Sequence, residues 1–133
     1  MSLNGNWKKT STEGEVEFGK AIGWGGASEE EWKAQCAVAV EVSYKVEGDN
    51  IESTRTYGGA KSITNKGVFN VESDYNFLGH DMKVKITGKD GDVVLESVSG
   101  WATVTVKVDG DKMVENVKHN ESGATLVNTW ARA

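Results

Sequence analysis

In Trp101-Ala102-Thr103-Val104-Thr105-Val106-Lys107-Val108-Asp109-Gly110-Asp111, valines recur at positions 104, 106 and 108 and the run ends on an Asp-Gly pair. Side chains of an extended chain return to one face at every second residue, so the valines mark a strand. An Asp-Gly pair supplies the backbone conformation of a tight hairpin turn. The same alternation of short strand and polar turn runs outward in both directions. Its turn signals are Glu47-Gly48-Asp49-Asn50, Gly58-Gly59, Asn65-Lys66-Gly67, Gly79-His80-Asp81, Lys89-Asp90-Gly91-Asp92, Ser99-Gly100 and Asn120-Glu121-Ser122-Gly123. Asn6 to Ser11 adds one more strand at the start. Strands spaced by about 8–12 residues and joined by hairpins indicate an all-β sandwich or barrel. About ten of them in an even meander close most simply as an up-and-down barrel, which also removes exposed sheet edges.

The chain has 133 residues, among them 16 glycines, one cysteine and no proline. That length suits one domain with a core of its own, expected over residues 1–133. Glycines provide the turns, and the lack of proline leaves the extended segments uninterrupted. Fifteen basic against twenty acidic residues give a net charge of −5, with neither sign gathered into a block. Nucleic acid is therefore not an expected partner, because phosphate binding needs a basic footprint. No apolar run is long enough to cross a bilayer, so no stable membrane insertion is expected. Cys36 alone can form no internal disulfide, and the opening MSLNGNWKKTSTEGE has no apolar stretch of signal-peptide length. Both point to the cytoplasm, and a monomer is the expected state.

Residues 12–37 break the alternation. Thr12 with Glu15, and Ser28 with Glu31, stand at capping-box spacing, and Glu29 to Glu31 fill what would be the first turn of a second helix, where its dipole favours negative charge. Phe18, Ala21 and Ile22 share one face of the first helix, Trp32 and Cys36 one face of the second, and Gly23-Trp24-Gly25-Gly26 makes a tight joint between them. Helices this short are unstable alone. The pair is expected to be a mobile lid and not part of the barrel's core.

With Gly5-Asn6-Trp7-Lys8 near the start, Lys20-Ala21-Ile22-Gly23-Trp24-Gly25-Gly26-Ala27 in the joint, and late hairpins at Lys89 to Asp92 and Val108 to Lys112, the whole chain resembles the intracellular lipid-binding proteins, the fatty-acid and retinoid carriers of the calycin superfamily. The resemblance implies a ten-stranded up-and-down β-barrel, with a short helix-turn-helix lid between its first two strands, that carries a single hydrophobic small molecule such as a fatty acid or retinoid. It implies neither an enzyme activity nor a cofactor. The ligand would enter beside the second helix, around Trp24, Trp32, Tyr57 to Gly59 and Tyr75 to Leu78.

The departures from the family bear on the ligand. Most members hold a carboxylate with an arginine on the eighth strand and an Arg-x-Tyr on the last. Here the last strand, Ala124 to Arg132, places Asn128 and Trp130 at the Arg and Tyr positions, and the eighth offers Thr105, or Val104 or Val106 if the turn is one residue longer. The shared clamp is absent; either the ligand is neutral or its charge is met elsewhere. By the family register Ser53, Arg55 and Tyr57 point inward, whereas the general exposure of arginine would turn Arg55 outward. Turned inward it needs a partner, since an unpaired buried charge costs roughly several kcal/mol, and a ligand can be that partner. Asn128 can donate and accept toward a carbonyl or hydroxyl, and Trp130 adds one donor and a flat apolar wall, with core packing as its other reading. Phe18 and Trp24 in the lid complete the candidate contacts, which are Arg55, Asn128, Trp130, Tyr57, Ser53, Trp24, Thr105 and Phe18. Trp7 reads as the plug of the closed end, Trp101 as a surface or rim residue, and Arg132 as a solvated chain end.

His80 and His119 are the only histidines, and no His-x-His, Cys-x-x-Cys, Glu-x-x-His or Gly-x-Ser-x-Gly spacing accompanies them, so no metal site or nucleophile is expected. Cys36, beside Ala34, Ala37 and Val38, reads as a buried thiol. Two other functions stand against the carrier. One is a barrel enzyme with His80 or His119 as acid or base, which requires one of them to face the cavity. The other is a secreted lipocalin-like carrier, which also begins with Gly-x-Trp but is normally longer and disulfide-bonded.

Overall fold

The computed structural model describes every residue except Met1, Ala60, Leu78 and Gly79; the side chains of Phe77 and His80 also lie outside the description. Part of the expected portal, at Leu78, and the expected Gly79-His80-Asp81 turn fall on those residues. Along the chain come β1 (Gly5–Glu13), α1 (Glu15–Ala21), a short 3-10 turn (Gly23–Gly26), α2 (Glu29–Ala37), β2 (Val40–Glu47), β3 (Asn50–Tyr57), β4 (Lys61–Val68), β5 (Glu72–Phe77), β6 (His80–Lys89), β7 (Asp92–Ser97), β8 (Ala102–Asp109), β9 (Lys112–His119) and β10 (Thr125–Arg132). The ten strands form one antiparallel sheet in the order β4-β3-β2-β1-β10-β9-β8-β7-β6-β5, in which the first and last strands pair. This is the expected ten-stranded up-and-down barrel with a helix pair between its first two strands.

The ends of the sheet, β4 and β5, stand side by side without a backbone ladder. A side chain stands in for the missing strand pairing. Asn65 Oδ1 accepts from the Asn76 backbone N–H at 2.8 Å, and its Nδ2 donates to the Asn76 carbonyl at 3.1 Å. The turn expected at Asn65-Lys66-Gly67 is therefore a strand, and the chain reverses at residues 69–71 instead, with Asn70 at a φ of 67°. Gly67 serves packing there: a Cβ at this position would sit 2.6 Å from Ile86 Cδ1, so glycine lets the β6 side chain reach the seam.

Every second residue faces inward, and the inward rows are apolar: Val40 and Val42 on β2, Val93 and Leu95 on β7, Val104 and Val106 on β8, Met113 and Val117 on β9. One end of the barrel is shut by Trp7, whose Nε1 donates to the Leu3 carbonyl at 2.8 Å. Arg132 is not a solvated chain end. Its guanidinium lies 3.9 Å from the Trp7 ring centre and donates to the carbonyls of Asn4 and Ser2, both at 2.7 Å, strapping the N-terminal segment across the opening.

The helices close the other end. Ser28 caps α2 as expected, its Oγ accepting from Glu31 N–H at 3.1 Å. The Thr12–Glu15 box does not form, because Thr12 belongs to β1 and Gly14 precedes α1 with a φ of 78°. A side chain at Gly14 would collide with the Thr125 carbonyl. Phe18 and Trp32 are buried, stack with ring centres 6.1 Å apart, and join the core, with Trp32 Nε1 donating to the Glu15 carbonyl at 2.8 Å. The inner faces of the helix pair thus belong to the core, contrary to expectation. No helix among the described residues is long and apolar enough to cross a membrane.

Candidate functional site

Under α2 the barrel opens into a cavity of about 340 Å³, walled by Trp32, Val40, Tyr57, Ile63, Leu126 and Trp130, a volume within the usual range for small-molecule sites. Beyond it lies a much tighter space of about 40 Å³ bordered by Tyr44, Ser53, Tyr75, Val104, Val106 and Glu115. Arg55 borders the first space and Glu115 the second, so their ion pair divides the interior.

That pair is the centre of a polar chain. Arg55 Nη2 lies 2.6 Å from Glu115 Oε2 and Nη1 lies 3.3 Å from Oε1. Asn128 Nδ2 donates to Glu115 Oε1 at 3.0 Å, and Thr12 Oγ1 donates to Asn128 Oδ1 at 2.9 Å. The side chains of Arg55 and Glu115 are 19% and 5% exposed. Burial alone would raise the Glu115 carboxyl, but the Arg55 guanidinium and the Arg55 and Asn128 hydrogen bonds outweigh it and hold the group below the usual carboxylate range. Burial opposes the charge on Arg55 as well, and Glu115 reverses the effect, leaving the guanidinium more firmly protonated than usual. The hydroxyls of Tyr44 and Tyr75 are pushed up by burial, that of Tyr75 to about 12. Arg55 also stacks on Trp130, 5.2 Å from the ring centre, a cation–π contact.

Two donors face the same cavity with unused capacity. Trp130 is 1% exposed and its indole N–H has no partner; buried donors are seldom left so. Lys9, directly opposite Trp130 in the β1–β10 register, also borders the cavity. Its ammonium donates to the Cys36 carbonyl at 3.0 Å. Burial lowers its pKa, and it likewise raises that of the neighbouring Cys36 thiol. After Lys9 the register shifts through a β-bulge before Ser11, which returns Thr12 to the inner face, opposite Asn128.

Among the expected contacts, the structure brings Arg55, Tyr57, Asn128 and Trp130 together on one cavity and places Ser53 in the tighter space beyond. Arg55 points inward, and its partner is Glu115. Asn128 is bonded within the protein at both ends of its amide. Thr105 faces outward: it lies opposite Val94 and Asn116, while Val104 and Val106 take the inner row because apolar burial sets the register of the strand. Phe18 and Trp24 are not among the residues bordering the cavity; the Trp24 and Trp32 rings close over Gly19 instead. Glu115 and Lys9 escaped the sequence reading. Glu115 had a signal, since it shares the inward parity of Met113 and Val117, and Lys9 had one as well, two residues beyond Trp7 on the same face.

His119 is buried, accepts or donates at 2.7 Å with Ser122 Oγ, and meets Trp101 edge-on at 5.5 Å; it does not border either space. Trp101 is half-buried at that rim. The His80 side chain lies outside the description. Among the described residues no three His, Cys, Asp or Glu side chains gather as metal ligands.

Fold and cavity together define a small helix-capped β-barrel of the kind that encloses a ligand. Solved structures of this kind superpose on nearly the whole chain. The REP1-NXSQ fatty acid transporter matches with a TM-score of 0.84 at 19% identity, over 98% of this chain and 96% of that one. Zebrafish ileal bile acid-binding protein, complexed with cholic acid, matches with a TM-score of 0.83 at 24% identity over 100% of both. Human cRBP IV matches at 0.82 and 16% identity, over 100% of this chain and 99% of that one. At these identities the likeness is one of fold. No protein-family model matches the sequence, and no curated protein does.

Proposed function

We propose that this protein is a member of the intracellular lipid-binding proteins and carries one hydrophobic small molecule inside its barrel, as a monomeric, single-domain, cytoplasmic carrier and not an enzyme. The observation that carries the reading is the buried Trp130 indole N–H, which lacks a partner and borders a cavity of about 340 Å³. A donor buried without a partner is costly, and a ligand acceptor in the cavity would relieve that cost. Tyr57 and Trp32 flank the bound chain near the mouth, Leu126 and Val40 line it, and the Arg55–Glu115–Asn128 cluster forms a rigid polar floor. The neighbours support the reading through their ligands, fatty acids and a bile acid. No observation favours the enzyme: His119, bonded to Ser122, stands away from the cavity.

The test is displacement of an apolar fluorescent probe. One probe molecule per chain should bind and be released by long-chain lipids. Failure of fatty acids, retinoids and bile acids alike to displace it contradicts the carrier.

A further inference from the structure

We propose that Lys9 and Trp130 form the headgroup site of this carrier and that its ligand is a carboxylic acid, with the carboxylate accepting from the Lys9 ammonium and the Trp130 indole N–H. The proposal rests on the carrier reading and says which ligands that carrier prefers.

The charges bordering the cavity point one way. Lys9, Arg55 and Lys61 line it, and no carboxylate does. Arg55 is unavailable to a ligand because Glu115 already holds it through two contacts. Lys61 is exposed at the mouth, where water and salt screen it. Lys9 is different. It is half-buried, it forms no ion pair among the described residues, and its printed hydrogen bond goes to a neutral carbonyl. Glu15 borders an outer cleft with Lys9 but does not pair with it. Burial lowers the Lys9 pKa, as expected for a cation whose surroundings do not yet compensate it.

The second observation is independent of charge. Trp130 stands opposite Lys9 on the adjacent strand, and its indole N–H is buried without an acceptor. Two neighbouring donors with spare capacity suit a group with two acceptor oxygens. A neutral carbonyl would satisfy the indole and leave the ammonium uncompensated; a carboxylate answers both. The donors used are then different from the Arg55 to which sequence register would assign the anion.

The experiment compares dodecanoic acid with dodecanol as displacers of the same fluorescent probe. The wild type should bind the acid about tenfold or more tightly than the alcohol, the ratio expected of a charge-assisted hydrogen bond in a poorly solvated site. Lys9→Met should abolish that ratio while leaving the alcohol unchanged, and Lys9→Arg should restore it. Trp130→Phe should weaken both ligands, since the indole serves carboxylate and hydroxyl alike; if that variant does not fold, the Lys9 series decides alone. Equal affinity of the wild type for acid and alcohol, or an acid preference that survives Lys9→Met, overturns the proposal. If neither compound displaces the probe, the carrier reading falls first, and this proposal falls with it.

Discussion

Arg55 on β3 and Glu115 on β9, 60 residues apart, meet inside the barrel through two contacts of 2.6 and 3.3 Å. Each is the other's compensation. Arg55→Gln leaves a buried carboxylate without its cation, which should destabilise the fold by about 3–5 kcal/mol. The double variant Arg55→Met with Glu115→Leu removes both charges and should be markedly more stable than the single one. Urea unfolding midpoints measure both. A single variant as stable as the wild type would show that the pair does not carry the polar floor.

The same pair predicts how stability depends on pH. The folded Glu115 carboxyl lies below the ordinary carboxylate range, held there against burial by Arg55 and Asn128. Its contribution is therefore complete above the unfolded pKa and is lost as pH falls through the lower folded value. Urea titrations in mildly to strongly acidic buffer should show a loss of stability that is shallower in Glu115→Gln. Identical slopes would remove Glu115 from the acid response.

Lys9 gives the opposite end of the scale. Its pKa is lowered by burial, with Cys36, Arg55, Glu115 and Glu15 as the surrounding titratable and charged groups. A bound carboxylate favours the protonated amine, so acid binding should take up protons in alkaline buffer and weaken as pH rises through the lowered value. Alcohol binding should stay flat. Calorimetry in two buffers of different ionisation enthalpy reads the proton uptake; none for the acid would contradict the role given to Lys9.

At the β4–β5 seam, Asn65 makes two hydrogen bonds to the Asn76 backbone. Asn65→Ala should cost about 1–3 kcal/mol, since a part-buried backbone pair loses its partner. Hydrogen exchange in β4 and β5 should speed up relative to β8 and β9. Unchanged exchange would mean that side-chain packing at Gly67 and Ile86 holds the seam alone.

Much of the barrel was legible because its signals are local. Alternating valines, as at Val104, Val106 and Val108, and Asp-Gly pairs, as at Asp109-Gly110, need no knowledge of distant strands. Errors arose where distant contacts override local chemistry. Asn65 to Gly67 resembles a turn, yet the seam needs an amide and a missing side chain there. Thr12 stands at capping spacing, yet a bulge keeps it in β1 beside Asn128. Arg55 was placed inward by register, but its partner on β9 became visible only once the barrel had brought the two strands across from each other. Lys9 was passed over because a lysine near Trp7 reads as surface until its opposite number, Trp130, is known.

Native mass spectrometry of the protein, purified from cells and then equilibrated with a mixture of fatty acids, retinoids and bile acids, tests the central claim most directly. One hydrophobic molecule should be retained per chain, released on unfolding and identified by mass. Chains that stay unliganded across the whole mixture, or that take up several molecules in proportion to concentration, as a surface does, would contradict a carrier with its site inside the barrel.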